Sequence, residues 1–351
     1  MNLLENKLYV EDLVYVADLK IPWSRLENKS ILLSGATGMI GSFLIDVIMF
    51  KNANENLNCH VYAVGRNEEK ARNRFNAYWD RKEFEFVQHD VNIPMDNLKL
   101  NNVSYVLHMA SNTHSMAYST DPIGTITTNI MGVYNMLEFS ARSNAERMAF
   151  ASSNEIYGEN RGDVEKFDEK YLGYIDCNTM RAGYPESKRC GEALCQAYIA
   201  QKGMDIVIPR LTRSYGPTLL NSDTKALSQF LKKGLAHEDI VLKSAGTQYY
   251  SYTYVADAVA GLLTVLLCGK KGEAYNISDE ASDIMLKDLA TIIANKSGTK
   301  VVFDLPDAVE AAGYSTATKA RLDNKKISEL GFKAKYDIES GIERTLRIME
   351  R

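Results

Sequence analysis

The sequence predicts an α/β fold: a doubly wound parallel sheet with a smaller, discontinuous C-terminal lobe. Three observations predict it. As far as Gly216, apolar runs of strand length alternate with amphipathic segments of helix length. A glycine-spaced turn, Gly35-Ala36-Thr37-Gly38-Met39-Ile40-Gly41, directly follows the first apolar run. Beyond Gly216 the alternation loosens. At roughly 100–200 residues per domain, 351 residues allow two or three domains.

Residues 1–28 read as an extra helical arm. Ser30–Ser34 (SILLS) is the first strand, followed by the glycine turn and a helix through Phe50. His60–Val64 is the second strand, with a charged helix from about Asn67; Phe84–Gln88 is the third and Val103–His108 the fourth. A long helix covers Asp121–Ser143, and Met148–Ser152 is the fifth strand. A helix over Pro185–Gln201 leads into a sixth strand, Asp205–Arg210. Such β-α-β alternation requires parallel strands with helices covering both faces, because each parallel crossover needs a long connection. The first domain is expected over 29–212, rejoined by about 236–268, where the chain returns to the sheet near Tyr254–Cys268. The smaller lobe takes 213–235 and 269–351.

Lys plus Arg number 41 against 45 Asp plus Glu, a net charge of −4, which argues against nucleic acid as the main partner. The best apolar stretch, Ala256–Cys268, is too short for a membrane span and carries Asp257. The N-terminus, MNLLENKLYVED, has no basic segment followed by an apolar run, so no secretion signal is expected. Five cysteines without CxxC spacing suit reduced thiols in a cytoplasm. The five histidines have no metal-ligand spacing, and no metal is expected.

Glycines 35, 38 and 41 permit a tight turn and bring peptide N–H groups near an anion at a helix N-terminus. With a strand before, a helix after and a second strand about 20 residues on, they read as a pyrophosphate cradle for a dinucleotide, with Thr37, Met39 and Ile40 in the same loop. A plain packing turn is the alternative. The second strand ends Val64-Gly65-Arg66-Asn67, without the acid that usually holds the ribose of NAD. Arg66 could meet the 2′-phosphate of NADP or stack on adenine, or be a solvated arginine. Asp90 and Val91 follow the third strand where adenine would lie; Asp90 could bind the adenine amine or cap a local turn. Ala110 and Ser111, after His108-Met109, are small enough to run close to the nicotinamide ribose.

Tyr184 and Lys188 (YPESK) share one helix face at i, i+4 spacing. An ammonium near a phenol favours phenolate, a base that can take a hydroxyl proton while hydride leaves the same carbon. Ser152-Ser153-Asn154-Glu155-Ile156-Tyr157-Gly158 ends the fifth strand, at the edge that carries sites in such sheets. Ser153 can bond the same substrate oxygen as Tyr184. Glu155 points to a second proton transfer, which alcohol oxidation alone does not need; a cap or an ion-pair partner is the other reading.

These residues resemble the extended short-chain dehydrogenase/reductase family of NAD-dependent epimerases and dehydratases, Rossmann-fold enzymes acting on nucleotide-activated sugars. The resemblance runs from about Lys29 to the end. It is supported by Asp121-Pro122, Thr128-Asn129, Tyr215-Gly216-Pro217, Tyr254-Val255-Ala256-Asp257 and Glu273-Ala274-Tyr275-Asn276-Ile277. It implies cofactor contacts from Asn129, Ser152, Tyr184 and Lys188. The SNEIYG stretch looks more like dehydratases and decarboxylases than simple 4-epimerases. In those families the trio at 153–155 is Thr-Asp-Glu or Thr-Ser-Glu. Asn154 matches neither; it donates hydrogen bonds but no proton at neutral pH. The resemblance implies oxidation of sugar C4 to a transient ketone, then loss of water or CO₂, as in 4,6-dehydratases or UDP-glucuronate decarboxylases. The alternatives are a 4-epimerase, an NADPH-dependent reductase and a non-catalytic dinucleotide-binding protein.

Two departures concern the substrate. The family usually has an Arg where this chain has Tyr250, and an Asn where it has Arg213. A diphosphate needs fixed positive charge or several N–H donors. Arg213 is therefore expected to replace the missing arginine from the opposite wall, assisted by Lys243 or Lys225. The resemblance also implies a homodimer built on the helices at 121–143 and 185–201, and a place in cell-surface polysaccharide synthesis.

Overall fold

The apolar runs of the first domain become strands of one sheet. In the computed structural model, which describes residues 2–113, 118, 120–304 and 318–350, the chain opens with α1 (Lys7–Ala17) and enters the sheet through β1 (Ser30–Ser34). There follow α2 (Met39–Glu55), β2 (His60–Gly65), α3 (Glu68–Phe75), β3 (Phe84–Gln88) and β4 (Tyr105–His108). Next come α4 (Pro122–Arg142), β5 (Arg147–Phe150), β6 (Ser152–Ser153), α5 (Gly183–Lys202) and β7 (Ile206–Leu211). The remainder holds β8 (Arg213–Tyr215), α6 (Ala226–Leu235), β9 (Ile240–Leu242), β10 (Tyr249–Tyr254), α7 (Val255–Cys268) and β11 (Ala274–Ile277). It closes with β12 (Asp283–Met285), α8 (Leu286–Ser297), β13 (Val301–Phe303), β14 (Lys319–Ala320) and α9 (Ile338–Met349).

The main sheet runs β11-β7-β5-β4-β1-β2-β3, with β6 also on β7, and every pairing in it is parallel. Strand order reverses between β1 and β4, so a crevice opens at their carboxyl ends. β1 and β4 are almost wholly buried, as both-faced coverage demands. A smaller sheet, β12-β10-β14, takes β8 against β10, and β9 pairs with β13.

Two strands lie elsewhere than the sequence division places them. β11, read with the smaller lobe, joins the main sheet beside β7. β9, read with the first domain, pairs with β13 outside that sheet. Both are too short for periodicity to reveal their partner. Residues 255–268, where the chain was expected back in the sheet, form α7 instead. It is buried throughout except Cys268 and packs on α2, β7 and α1. No helix among the described residues is long and apolar enough to cross a membrane.

The arm is integral to the molecule. The N-cap Asn6 accepts from the backbone of Leu8 and Tyr9, starting α1. Tyr9, Leu13 and Val16 then fill the core.

Candidate active site

The glycine turn sits at the strand-order reversal. Gly35 has φ +73°, and a Cβ there would lie 2.9 Å from the Ala110 nitrogen and the Met109 carbonyl carbon. Only glycine lets β1 turn this close to the end of β4. A Cβ on Gly41 would meet the Gly35 carbonyl oxygen at 2.5 Å. Ser34 Oγ accepts from the amides of Met109 (3.1 Å) and Ala110 (3.2 Å) and donates to His108 Nδ1 (2.7 Å). Burial holds the His108 pKa down, to about 3, so the ring is neutral.

Helix α2 begins after Gly38 with no side-chain cap, which leaves the first-turn N–H groups of Met39, Ile40 and Gly41 for an anion. The buried Ser152 hydroxyl has no partner among the described residues. This cradle, its uncapped donors and the orphaned hydroxyl fit a dinucleotide pyrophosphate.

Around the cradle, Arg66 is exposed at the end of β2. Asp90 closes a local turn by accepting from the Asn92 amide at 3.0 Å. Val91 is buried, and its carbonyl accepts from Asn135 Nδ2 at 2.8 Å. Ser111 Oγ donates to Asn129 Oδ1 (2.7 Å), Asn129 Nδ2 donates to Ser187 Oγ (2.8 Å), and Ser187 Oγ donates to the Tyr184 carbonyl (2.8 Å). That relay pins the start of α5 to the end of β4.

Tyr184 and Lys188 are both buried on α5, facing the ends of β5 and β6. Lys188 Nζ donates to the Ala151 carbonyl at 2.9 Å and lies 6.0 Å from the Tyr184 ring centre. Burial pulls the Lys188 pKa down to about 8. Burial, then the Glu155 charge, pushes the Tyr184 phenol up, while hydrogen bonds with Ser153 and Ser111 and the Arg181 charge oppose that rise. The sequence expectation of a lowered phenol is thus reversed, because desolvation outweighs the favourable charges. Ser153 caps the short 3₁₀ turn Asn154–Tyr157, accepting from the Glu155 amide at 3.2 Å; Asn154 is buried in that turn.

The sequence did not single out Arg181 or Tyr118. Arg181 Nη2 donates to Glu155 Oε2 at 2.7 Å, so Glu155 is an ion-pair partner inside the site. The Arg181 guanidinium lies over Tyr118 at 4.7 Å, and Tyr118 packs on Tyr184 at 5.0 Å between ring centres. The sequence signal for Arg181 is its place at the head of Arg181–Arg189, a stretch that resembles the one around the Tyr and Lys of UDP-glucuronate decarboxylases.

Arg213 and Tyr250 are on neighbouring strands, since β8 pairs with β10, and not on opposite walls as expected. The guanidinium lies 3.6 Å from the Tyr250 ring centre, and its Nη1 is buried without a hydrogen-bond partner among the described residues. Lys243 pairs with Asp304 at 2.6 Å on the surface, and Lys225 pairs with the buried Asp223 at 3.5 Å.

The family model of the NAD dependent epimerase/dehydratase family matches residues 31–278. UDP-glucuronic acid decarboxylase 5 of Arabidopsis thaliana is 31% identical over 283 residues, covering 80% of this chain and 79% of that protein. UDP-glucuronic acid decarboxylase 1 of Danio rerio is 28% identical over 330 residues, covering 93% and 74%. Among solved structures, UDP-glucuronic acid 4-epimerase from Bacillus cereus, in complex with UDP-glucuronic acid and NAD, superposes with TM-score 0.77 at 21% identity over 91% of this chain and 98% of its own. The dTDP-glucose 4,6-dehydratase DesIV from Streptomyces venezuelae superposes with TM-score 0.78 at 21% identity, over 91% and 96%. At that identity the likeness is one of fold.

Proposed function

The chain belongs to the NAD-dependent epimerase/dehydratase family, and on that premise we propose that it is a nucleotide-sugar lyase acting through a transient C4 ketone. The observation that supports this reading is the convergence of Ser153, Glu155, Tyr184 and Lys188 beside the glycine cradle. The first-turn amides of α2, with Ser152 and Asn129 nearby, would hold NAD, which when bound supplies the acceptor for the C4 hydride. Tyr184 takes the C4 hydroxyl proton, with Ser153 fixing the same oxygen. Lys188 supplies the charge that favours the phenolate. Glu155 stands where it can take the C5 proton in a dehydration or border the C6 carboxylate in a decarboxylation; the relatives named above favour decarboxylation.

Arg213, stacked on Tyr250 with a buried unused donor, binds the diphosphate. In Arg213→Ala, affinity for the bare nucleoside diphosphate should fall roughly ten- to a hundredfold, the worth of a charge-assisted contact. Unchanged affinity in a titration would remove that role. Glu155→Gln should lower lyase turnover by roughly 10²–10⁴-fold. Product analysis showing sustained turnover to the C4 epimer would instead make the protein an epimerase. The dinucleotide released on denaturation identifies NAD or, through Arg66, NADP.

A homodimer fits the exposed side of α4, where Ile123, Ile126, Met131 and Tyr134 form one apolar stripe. A cytoplasmic setting suits the free cysteines.

A further inference from the structure

Lys188 is only 3% exposed, and an ammonium carries three donors. Among the described residues it makes one hydrogen bond, to the Ala151 carbonyl, and no ion pair. Glu192, one turn further along α5, is the carboxylate whose charge favours the ammonium, but two nitrogens of Arg210 hold it at 2.9 and 2.6 Å. Burying a cation with so few partners is costly. What faces the ammonium is the ring of Phe150: Nζ lies 4.9 Å from its centre. Phe150 ends β5 and is wholly buried. Gly191 lets the ring sit there, since a Cβ at that position would lie 2.5 Å from Phe150 Cζ and 2.8 Å from Cε1. The other groups around the ammonium do not supply an anion. His108, opposite Phe150 across the β4–β5 pairing, stacks on it at 6.0 Å between centres and is neutral. Burial pushes both the Tyr184 phenol and the Cys195 thiol of α5 up, towards their neutral forms.

We infer that Phe150 is a positioning residue for the reaction: its ring face keeps the Lys188 ammonium protonated beside Tyr184, in a pocket with no free carboxylate to do so. This rests on the reading of Lys188 as the charge that serves Tyr184. The face of an aromatic ring is negative, and its attraction for a cation within about 6 Å is strongest where water is excluded. An aliphatic side chain at 150 would fill the core and leave the ammonium with the Ala151 carbonyl alone. The neutrality of His108 belongs to the same device, because an imidazolium on this ring would repel Lys188.

A pH titration of the full chain by NMR tests it, with the lysines carbon-13 labelled at Cε and the Lys188 signal assigned as the one lost in Lys188→Arg. Phe150→Leu should lower the Lys188 midpoint by roughly one pH unit, the worth of a desolvated cation–ring contact. A second variant carries 3,5-difluorophenylalanine at position 150, which keeps the ring and draws electron density from its face. Its midpoint should fall in the same direction by a smaller amount. The alkaline limb of kcat should move with the midpoint in each. A midpoint unmoved in both variants overturns the inference. So does a fall in Phe150→Leu alone, since that is a packing defect and not the work of the ring face. The titration needs no substrate, so a chain that turns over no nucleotide sugar overturns the proposed reaction and leaves the Phe150–Lys188 result standing.

Discussion

Tyr184 and Lys188 are each pushed towards neutrality by the same burial, the phenol up and the ammonium down to about 8. The sign of the pH effect follows from Lys188. Its charge is present below about pH 8 and is lost as pH rises through that value; in the proposed mechanism that charge favours the phenolate, so its loss slows the step. We expect kcat to fall on the alkaline side with an apparent pKa near 8. In Lys188→Arg, whose guanidinium keeps its proton, that limb should move out of the accessible range. A limb unmoved in a pH series of the variant would assign it to another group. Glu155 is not free in the resting site: Arg181 holds its Oε2 at 2.7 Å.

The elements position these side chains through their ends. α2 contributes its uncapped N-terminus, and α5 brings Tyr184 and Lys188 under β5 and β6. α4 locks onto α5 along its length and through the Asn129–Ser187 bond. Its opposite side leaves Ile123 76% and Met131 43% exposed. A second copy covering that stripe would bury apolar area and hold α4, hence Asn129, in place. The wild type should therefore run as a dimer in light scattering, and Ile123→Glu with Met131→Glu as a monomer. A monomeric wild type would leave the stripe without that role.

At the scale of the whole molecule, the arm stitches both chain ends to the core. Tyr254 donates to Asp12 at 2.6 Å and Arg344 of α9 donates to the same carboxylate at 3.0 Å. Tyr15 donates to Asp257 at 2.7 Å, as do the amides of Lys335 (2.8 Å) and Tyr336 (3.0 Å). Tyr9 and Arg74 converge on Asp46. Burial raises the Asp257 pKa from 3.8 to about 6, against those hydrogen bonds. A raised carboxyl contributes stability that is complete below its unfolded value and lost as pH rises through about 6, here on the order of 3 kcal/mol. The melting temperature of the wild type relative to Asp257→Asn should therefore drop between about pH 4 and pH 7. A difference that stays flat across that range would clear Asp257 as the cause.

Much of this protein is written in local pattern. β1 and β3 fall on the residues the apolar runs mark, and α4 and α5 differ from expectation by a residue or two at their ends, because burial on one or both faces imposes its own period. The glycine turn and the Tyr184/Lys188 spacing were legible for the same reason: each is a constraint within a few residues. The rest depends on pairs far apart in the chain. Glu155 and Arg181 are 26 residues apart, and Asp12 and Arg344 are 332. No period links such partners. That Arg213 lies flat on Tyr250, that β11 closes the main sheet, and that the arm binds the C-terminal helix were decided only by tertiary packing, which selects partners by shape, charge and exclusion of water.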